Sequence, residues 1–373
     1  MKDEEGFKPP PYPYDRLDEL KPLAAHHEGG IVDCSIGTPI DAPPKQVIKA
    51  LANSEMERSY PPSIGTPAFR EEVASWALNR FDCTIDATTE IAAAVGTKEF
   101  VAGLPHWMKL RNPNRDTVLY PAVSYPSYEM GATLAGCRAV AVPVDENWCI
   151  QLEEVSEEDR TRALLLWVNT PGNPAGGLDD LDAVATWGRN NQIPVFSDEC
   201  YCEFTWDGPP RTILSSGPEG VVSVHWLSKR SNLAGVRVGF YAGDPDIVEY
   251  LREIRKHAGF MVPGPAQAAA VAALSDQTHV EQQREIYWSR LNRLSNIISN
   301  IGAEAPLPRG GFYLWVPAPG GDAWAFVEHL LKEVGLLASP GEFYGSLGTD
   351  YVRIAAVQTD ERIELLEQRL GMS

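Results

Sequence analysis

The chain has 373 residues, 44% of them hydrophobic and 22% charged, which is typical of a globular protein with a sizeable core and about two domains. Its formal net charge of -19 argues against nucleic-acid or anionic-membrane partners, because both bind basic surfaces. No apolar run approaches the ~20 residues of a membrane span, and the acidic N-terminus lacks the apolar core of a secretory signal, so a cytoplasmic location is expected.

The first segment, residues 1 to about 45, is predicted to be an irregular arm that lies on the surface of something else. The run 8–14 is dominated by proline, which the interior of a helix does not accommodate. From about residue 46, helical segments alternate with short apolar runs at 117–120, 163–168, 193–197 and 221–227. Continuous apolar strands separated by helices predict a parallel α/β sheet that is covered on both faces.

The pattern changes from about residue 246. Long amphipathic segments at 246–256 and 278–301 predict helices, and a strand-like run at 312–316, a helical run at 323–334 and a strand-like run at 351–355 follow. This mixture indicates a smaller α+β domain. We therefore divide the chain into an N-terminal arm with part of the small domain (1–45), a large domain (46–255) and a small C-terminal domain (256–373).

Common nucleotide and metal motifs are absent from the sequence. No G-x-G-x-x-G follows a strand, and G-x-x-x-x-G-K-[ST] does not occur. The cysteines have neither C-x-x-C pairing nor a cysteine–histidine spacing suited to zinc, so reduced core thiols and no metal are expected. The six cysteines are Cys34, Cys83, Cys137, Cys149, Cys200 and Cys202.

The most informative stretch is Ser228-Lys229, directly after the apolar run 221–227. A lysine at the end of a buried strand is placed at the rim of a sheet, where a ligand can meet it. Arg237 follows eight residues later, between Gly235 and Gly239. An amine that can form an imine, with a cation that can hold a phosphate, is what pyridoxal phosphate requires.

Two further segments could bind that cofactor, although each also has an ordinary structural interpretation. Gly96-Thr97-Lys98 precedes a helical stretch, and a glycine turn at a helix N-terminus suits a phosphate; alone, a plain helix start explains it equally well. Tyr125 follows the strand that ends near residue 120 and could stack on a flat ring, or it could simply pack in a loop.

Polar residues end two more predicted strands. Asn173 lies in a loop rich in asparagine, proline and glycine, which is either a plain turn or a loop that directs an amide at a ligand. Asp198 would keep a pyridine nitrogen protonated, and Tyr201 would donate to the phenolic oxygen of the ring; a helix cap is the alternative for Asp198. Arg353 is either an ordinary strand residue or a planar fork for a carboxylate.

In this order and combination, the segments resemble the class I and II aminotransferases, the fold-type I pyridoxal-phosphate enzymes. The resemblance covers nearly the whole chain, and the stretches 31–39, 59–67, 228–239 and 255–259 are most similar to the actinobacterial N-succinyldiaminopimelate aminotransferases. It implies an α/β fold with a large domain, whose mostly parallel seven-stranded sheet is sandwiched by helices, and a smaller α+β domain. It also implies pyridoxal 5′-phosphate as cofactor.

The resemblance assigns roles around the cofactor ring. Lys229 would form the imine and then move the proton between the substrate Cα and the cofactor C4′. Asp198 would pair with the pyridine nitrogen, Asn173 and Tyr201 would bond the phenolic oxygen, and Tyr125 would stack on the ring. Lys229, Asp198 and Tyr201 would thus be the catalytic residues.

The resemblance also assigns the phosphate and substrate sites. Arg353 would bind the substrate α-carboxylate, with Asn173 and the Gly37 backbone close by. Tyr60 would reach the phosphate of the neighbouring subunit, which implies an obligate homodimer with shared sites. The residues that would hold the phosphate within the subunit are Gly96, Thr97, Lys98 (through backbone groups), Ser228 and Arg237.

One position departs from the family. A small hydroxyl residue commonly lies three positions before the lysine, but here Trp226 takes that place. An indole cannot replace a compact hydroxyl in the same volume, so either the phosphate site is rearranged or the indole is turned away.

The leading functional hypothesis is amino transfer between N-succinyl-LL-2,6-diaminopimelate and 2-oxoglutarate, in lysine and cell-wall precursor synthesis. Its distal carboxylate needs a second cation, for which Arg16, Arg255 and Lys256 are candidates. Alternatives are an aminotransferase for aspartate, an aromatic amino acid or a specialised metabolite, and a pyridoxal-phosphate β-lyase. A non-catalytic ligand-binding regulator on the same fold is disfavoured. Such a regulator would normally carry an added DNA-binding domain, for which this acidic chain has neither the room nor the charge.

Overall fold

The computed structural model describes residues 6–372, which form two layered parts. The strands are β1 (Val32–Asp33), β2 (Ile91–Ala94), β3 (Thr117–Pro121), β4 (Arg138–Val142), β5 (Ala163–Asn169), β6 (Val195–Asp198), β7 (Val221–Trp226), β8 (Gly239–Gly243), β9 (Tyr313–Pro317), β10 (Leu336–Leu337), β11 (Ser339–Pro340) and β12 (Tyr351–Ala355). The α-helices are α1 (Lys45–Ala52), α2 (Pro67–Phe81), α3 (Thr97–Arg111), α4 (Ser127–Leu134), α5 (Glu157–Arg162), α6 (Leu181–Asn191), α7 (Leu227–Arg230), α8 (Pro245–His257), α9 (Gly264–Leu274), α10 (Thr278–Asn300), α11 (Ala323–Val334) and α12 (Asp360–Arg369).

The large sheet has the seven strands and the mostly parallel arrangement that the family resemblance implies. Its order is β2-β8-β7-β6-β5-β3-β4. The pairs among β3 to β7 are parallel, whereas β8 runs antiparallel to both β7 and β2. Every residue of β5, β6 and β7 is buried, because helices cover both faces of the sheet. The parallel strands therefore bring their carboxyl ends to one edge.

The predicted strands and helices agree with the structure to within a few residues. The difference that matters lies at 221–227, because β7 ends at Trp226 and Leu227 already begins the one-turn helix α7. Strands β2, β4 and β8 were not predicted. The short β2 has Ile91 as its one β-branched residue, and the β8 sequence Gly-Phe-Tyr-Ala-Gly has none, so neither shows the β-branched run that marks an apolar strand.

The smaller part consists of the antiparallel sheet β11-β12-β9 with α10, α11 and α12. β1, from the N-terminal segment, pairs in parallel with β10. The first segment is therefore built into the smaller part, and a 3-10 helix, Pro13–Glu19, precedes β1. This pairing holds the segment that continues to Ile36, Gly37 and Thr38 next to the carboxyl edge of the large sheet.

The division of the chain at 255/256 stays a prediction, but the packing favours a later boundary. Residue 255 lies inside α8, and α9 packs against α1 and α2 within the apolar cluster on one face of the large sheet. That cluster continues to Leu274, whereas α10 contributes Leu291, Leu294, Ile297 and Ile298 to the apolar cluster of the smaller part.

Other sequence expectations concern thiols, metals and membranes. All six cysteines have free thiols. Across residues 6–372, no group of three or more histidine, cysteine, aspartate or glutamate side chains is placed to hold a metal ion. No helix within the same residues combines the length and apolar character needed to cross a bilayer.

Candidate active site

A cavity of about 260 Å³ opens at the carboxyl edge of the large sheet, where the smaller part and the N-terminal arm meet it. Its walls come from the ends of β5, β6 and β7, from the start of α3, and from β9, β12 and the arm. The residues that line it are Tyr12, Tyr14, Ile36, Gly37, Thr38, Thr97, Lys98, Tyr125, Tyr128, Asn169, Asn173, Asp198, Cys200, Tyr201, Ser228, Lys229, Ala234, Arg237, Tyr313 and Arg353.

Lys229 projects into this cavity from α7, directly after β7. Its Nζ donates a hydrogen bond to the Gly37 carbonyl oxygen and lies 5.8 Å from the centre of the Phe312 ring. Loss of solvent around the amine lowers the pKa of Lys229 to about 8, and the nearby guanidinium of Arg353 acts in the same direction. A far larger share of the amine is therefore neutral at physiological pH than for an ordinary lysine, and the neutral form is the one that acts as a nucleophile or accepts a proton.

Asp198 ends β6 at the bottom of the cavity. One carboxylate oxygen accepts a hydrogen bond from the Tyr128 hydroxyl at 3.0 Å, and the other accepts from the Cys200 backbone N–H at 3.3 Å. Burial raises the pKa of Asp198 to about 6, and these hydrogen bonds partly oppose the rise. Within residues 6–372, no lysine or arginine forms an ion pair with this buried carboxylate, so it suits a positively charged ligand atom.

Arg353 lies on β12 and is only 2% exposed. Its Nη1 donates to Asn173 Oδ1 at 2.8 Å, and its Nη2 donates to the Ser35 carbonyl at 2.6 Å and to the Tyr14 hydroxyl at 3.3 Å. Among residues 6–372, Arg353 Nε has no hydrogen-bond partner. A buried guanidinium that is held only by neutral groups lacks a counter-ion, so a ligand carboxylate would complete the site.

Two tyrosine rings lie close to this guanidinium. Its carbon lies 4.3 Å from the centre of the Tyr313 ring and 4.7 Å from that of the Tyr344 ring. The Tyr344 hydroxyl is 2.7 Å from the Tyr14 hydroxyl, and the Tyr313 hydroxyl is 2.8 Å from the Tyr201 hydroxyl. The rings fix the plane in which the arginine can receive a carboxylate.

The start of α3 lies very close to the Arg237 side chain. Arg237 has a left-handed backbone (φ 59°) and donates through Nη1 to the Ala234 carbonyl at 2.9 Å. A Cβ built on Gly96 would lie 2.0 Å from Arg237 Nη2, so only glycine lets the guanidinium pass over the helix start. Thr97 and Ser228 line the same end of the cavity, and the arrangement of a cation, hydroxyls and free helix N–H groups suits a phosphate.

Of the predicted site residues, all but two line the cavity. Gly96 lies beneath Arg237 rather than in the wall, and Tyr60 is 92% exposed, outside the cavity of its own chain. The three candidates for a distal carboxylate also lie outside the wall. Arg255 is buried in a bidentate ion pair with Glu99, Arg16 is paired with Glu342, and Lys256 is exposed.

Trp226 is turned away from the cavity, the second of the two possibilities that its position left open. Its ring is buried beside Phe100, 6.1 Å away between centroids, and Nε1 has no hydrogen-bond partner within the part of the chain that the structure describes. A Cβ on Gly239 would lie 2.2 Å from Trp226 Cε3. The indole therefore fills the core next to α3, and it contributes no group to the phosphate end.

Sequence reasoning missed several residues of the cavity wall. Tyr128 follows Tyr125 by three positions on the start of α4, so the helical spacing of a second tyrosine could have indicated it. Asn169 ends β5, so the rule that strand ends meet at one edge could have indicated it as well. The remaining residues carry no local motif because they come from the arm, from loops and from the smaller part. They are Tyr12, Tyr14, Ile36, Thr38, Cys200, Ala234 and Tyr313.

Comparison with known sequences decides the family. The sequence model described as aminotransferase class I and II matches residues 30–370. The chain belongs to this family. It is 40% identical to 4-dedimethylamino-4-oxo-anhydrotetracycline transaminase OxyQ of Streptomyces rimosus, over 97% of this chain and 99% of that protein. It is 31% identical to LL-diaminopimelate aminotransferase of Aquifex aeolicus, over 97% and 96%.

Among solved structures, the probable N-succinyldiaminopimelate aminotransferase from Thermus thermophilus superimposes with a TM-score of 0.86 at 27% identity, covering 97% of this chain and 100% of that one. The fold is thus that of the fold-type I enzymes, and the protein is a pyridoxal-phosphate-dependent aminotransferase. N-succinyldiaminopimelate specificity does not follow from these similarities, because relatives with different named substrates match over the same length.

The cavity fits this cofactor on structural grounds. The glycine at position 96 leaves the space in which Arg237 lies over the start of α3, which suits the phosphate. Asp198 is a buried carboxylate that a pyridinium nitrogen would neutralise, and Lys229 supplies an amine with a lowered pKa. When bound, pyridoxal phosphate supplies an electron sink for the carbanion formed at the substrate Cα.

Proposed function

We propose that the residues around the cavity act on the cofactor and substrate as follows. Lys229 binds the cofactor covalently and carries the proton between the substrate Cα and the cofactor C4′. Asp198, oriented by Tyr128, pairs with the pyridine nitrogen and keeps it protonated, because a buried carboxylate strongly favours a cationic neighbour. Asn173 and Tyr201 bond the phenolic oxygen, and Tyr125 stacks on the ring.

At the other end of the cofactor, we propose that Arg237, Ser228 and the start of α3 at Gly96, Thr97 and Lys98 hold the phosphate. Lys98 takes part through its backbone, which leaves its ammonium group free for another ligand. Tyr60 would complete this site in the neighbouring subunit of a homodimer, which accounts for a tyrosine that is almost fully exposed in its own chain. A cytoplasmic location stays a prediction.

For the substrate, we propose an α-amino acid whose side chain carries a second acidic group, with N-succinyl-LL-2,6-diaminopimelate as donor and 2-oxoglutarate as acceptor. The observation that supports this is that two cations of the cavity, Arg353 and Lys98, stay available after Lys229 and Arg237 have been assigned to the cofactor. Arg353 lacks a counter-ion, and Lys98 Nζ has only the Tyr12 hydroxyl at 3.2 Å and the Tyr12 ring, whose centre lies 4.5 Å away, among the residues that the structure describes. Lys98 thus replaces Arg16, Arg255 and Lys256 as our candidate for the distal carboxylate.

A second candidate function is amination of a ketone on an aromatic or polycyclic substrate of specialised metabolism. Two observations favour it: the 40% identity to OxyQ, whose name states a tetracycline intermediate, and the aromatic wall that Tyr12, Tyr14 and Tyr313 give to the cavity. Flat phenol rings bind extended ring systems through stacking. The two candidate functions differ in the role of Lys98. The first needs its positive charge to bind the distal carboxylate, whereas the second does not.

An amino-donor screen with 2-oxoglutarate as acceptor tests these proposals. We expect N-succinyl-LL-2,6-diaminopimelate to have the highest kcat/KM. Lys98→Gln should raise its KM about tenfold or more while leaving KM for a monocarboxylic donor such as alanine within about twofold, since one charge-assisted contact is lost. Arg16→Gln is the control, because Arg16 lies outside the cavity wall.

Other outcomes would identify the alternatives. Turnover with a ring ketone and glutamate, without activity on the diaminopimelate derivative, would support the second candidate and reject the first. Release of ammonia and pyruvate without any 2-oxo acid would instead identify a β-lyase, which needs no acceptor.

A further inference from the structure

The phenol pair Tyr201–Tyr313 is a feature of the cavity that the proposed roles do not yet use. The two hydroxyl oxygens are 2.8 Å apart, the rings meet edge to face at 72°, and both residues are almost fully buried. Tyr313 is the first residue of β9, so it belongs to the smaller part, whereas Tyr201 follows β6 of the large sheet. The pair therefore joins the two sides of the cavity.

The number of hydroxyl hydrogens in this pair determines which tyrosine donates the hydrogen bond between them once the cofactor is bound. A phenol has one hydrogen to donate. If Tyr201 donates its hydrogen to the phenolic oxygen of the cofactor, as proposed above, the hydrogen between the two tyrosines must come from Tyr313. A phenol that accepts one hydrogen bond donates a stronger one, because successive hydrogen bonds polarise one another.

We infer that Tyr313 is a positioning residue that donates to Tyr201 and so strengthens the hydrogen bond from Tyr201 to the phenolic oxygen of the cofactor. The inference rests on the proposed contact of Tyr201. It assigns to Tyr313 no contact with the reacting atoms.

Two further contacts hold Tyr313 in the orientation that this role requires. Its ring packs on Arg353, a diagonal neighbour on the same face of the antiparallel pair β9–β12. Its hydroxyl occupies the space above Gly37, where a built Cβ would lie 2.0 Å from the Tyr313 oxygen. Glycine at position 37 therefore leaves room for the phenol, and the ring cannot swing away from Tyr201 without losing its contact with Arg353.

Tyr344 is a matched control that the chain itself offers. Its ring flanks the same guanidinium from a similar distance, 4.7 Å compared with 4.3 Å, but its hydroxyl bonds Tyr14 and not Tyr201. Tyr313→Phe and Tyr344→Phe each remove one buried hydroxyl from a tyrosine beside Arg353, so the two substitutions are comparable. Only the removal at Tyr313 changes the hydrogen bonding of Tyr201.

The test is a pH titration of the visible absorbance of the cofactor-loaded enzyme, which needs no turnover and is independent of the substrate. Tyr201→Phe removes the donor to the phenolic oxygen, so the imine proton is held more tightly and the titration midpoint should rise. Tyr313→Phe should raise the midpoint by about half a unit to one unit, as expected for the loss of one buried hydrogen bond. Tyr344→Phe should leave it unchanged.

The double variant Tyr201→Phe, Tyr313→Phe decides whether Tyr313 acts through Tyr201. We expect its midpoint to equal that of Tyr201→Phe alone, because the second substitution then removes nothing further. Additive shifts, no shift in Tyr313→Phe, or equal shifts in Tyr313→Phe and Tyr344→Phe would each overturn the inference. Failure of the proposed substrate would appear only in the donor screen, so the two results are distinguishable.

Discussion

The floor and the mouth of the cavity are built in different ways. The floor consists of buried polar groups at or just after the ends of strands in the large sheet, such as Asn169, Asn173 and Asp198, each held by hydrogen bonds to neighbouring backbone or side chains. The mouth consists of Tyr12, Ile36 and other exposed side chains of the N-terminal segment. The floor is rigid because its buried polar groups lose much free energy if they leave their partners, whereas the mouth has no such constraint.

This difference explains why the two regions suit different tasks. Chemistry at the cofactor needs atoms fixed to within fractions of an ångström, which strand ends provide. Recognition of a variable side chain tolerates movement, and aromatic rings on a surface segment provide adaptable contact area. Substitutions in the floor should therefore affect every substrate, whereas substitutions in the mouth should have smaller effects that depend on the substrate.

The largest effect is expected for Lys229→Ala, which removes the reactive amine from the floor. Turnover should fall by about four orders of magnitude or more, because covalent attachment and proton transfer are lost together. The visible absorbance of the cofactor-supplemented protein should disappear, and borohydride should no longer fix the cofactor to this side chain. Lys256→Ala, at an exposed lysine, is the control and should keep both signals. Unchanged absorbance in Lys229→Ala would refute the assignment.

Arg353→Ala is expected to have the next largest effect. Truncating a buried, hydrogen-bonded charge that binds an anion costs about 2–5 kcal/mol, so kcat/KM should fall at least about 30-fold, mainly through KM. The loss should be similar for every amino donor, since all share the α-carboxylate. Arg353→Lys should recover little of it because an ammonium lacks the planar fork. A defect confined to one donor would show that Arg353 binds the side chain instead.

Asp198→Asn should have opposite effects on the stability of the cofactor-free protein and on cofactor binding. The pKa of Asp198 is raised to about 6 from 3.8, so the folded protein binds more protons than the unfolded chain between these values. Stability of the cofactor-free protein should therefore fall as pH rises from about 4 to 6, by up to about 3 kcal/mol. Asparagine removes this dependence, so the variant should be more stable than wild type at pH 7 and similar near pH 4 in urea unfolding.

Cofactor binding should favour the wild type over Asp198→Asn, the reverse of their order of stability without cofactor. A pyridinium nitrogen neutralises Asp198 in the loaded wild type, whereas asparagine offers it no charge. We therefore expect Asp198→Asn to weaken cofactor binding even though it stabilises the cofactor-free chain. A variant that is less stable than wild type at pH 7 without cofactor would contradict the cost of burying the Asp198 carboxylate that its raised pKa indicates.

The floor was largely predictable from the sequence, and the reason is physical. Residues directly after apolar strands must meet at one edge of a parallel sheet, so Asn173, Asp198 and Lys229 could be brought together without knowing any other contact. The β8 strand was missed because Phe240 and Tyr241 lie between glycines, and its antiparallel direction has no signal in composition.

The mouth could not be predicted in the same way. Tyr12 and Tyr14 belong to a proline-rich segment, and their approach to Lys98 and Arg353 depends on the pairing of β1 with β10, which joins residues about 300 positions apart. The same holds for Tyr313, whose partner Tyr201 is 112 positions away. Such contacts leave no periodic pattern, and the distal-carboxylate candidates chosen from charge alone accordingly lay outside the cavity wall.

The smallest effect is expected for Arg16→Gln, at the outer side of the mouth. Arg16 pairs with Glu342 at 2.6 Å and lies 4.5 Å from the centre of the Trp324 ring, but its side chain is 54% exposed. Exposed ion pairs contribute about 0–1 kcal/mol, and solvent screens this one. Thermal unfolding should thus shift by only a degree or two, and KM for every donor should stay within about threefold of wild type.

Salt and a partner substitution show whether this small effect comes from the ion pair or from the ring contact. Raising the salt concentration to about 1 M shortens the screening length to about 3 Å and should abolish the ion-pair contribution. Glu342→Gln should match Arg16→Gln at low salt if the pair dominates, and the double variant should then add nothing. If Arg16→Gln is the more destabilising of the two at both salt concentrations, stacking on Trp324 holds the arm in place. A substrate-specific loss of activity in Arg16→Gln would instead extend the recognition surface beyond the cavity wall.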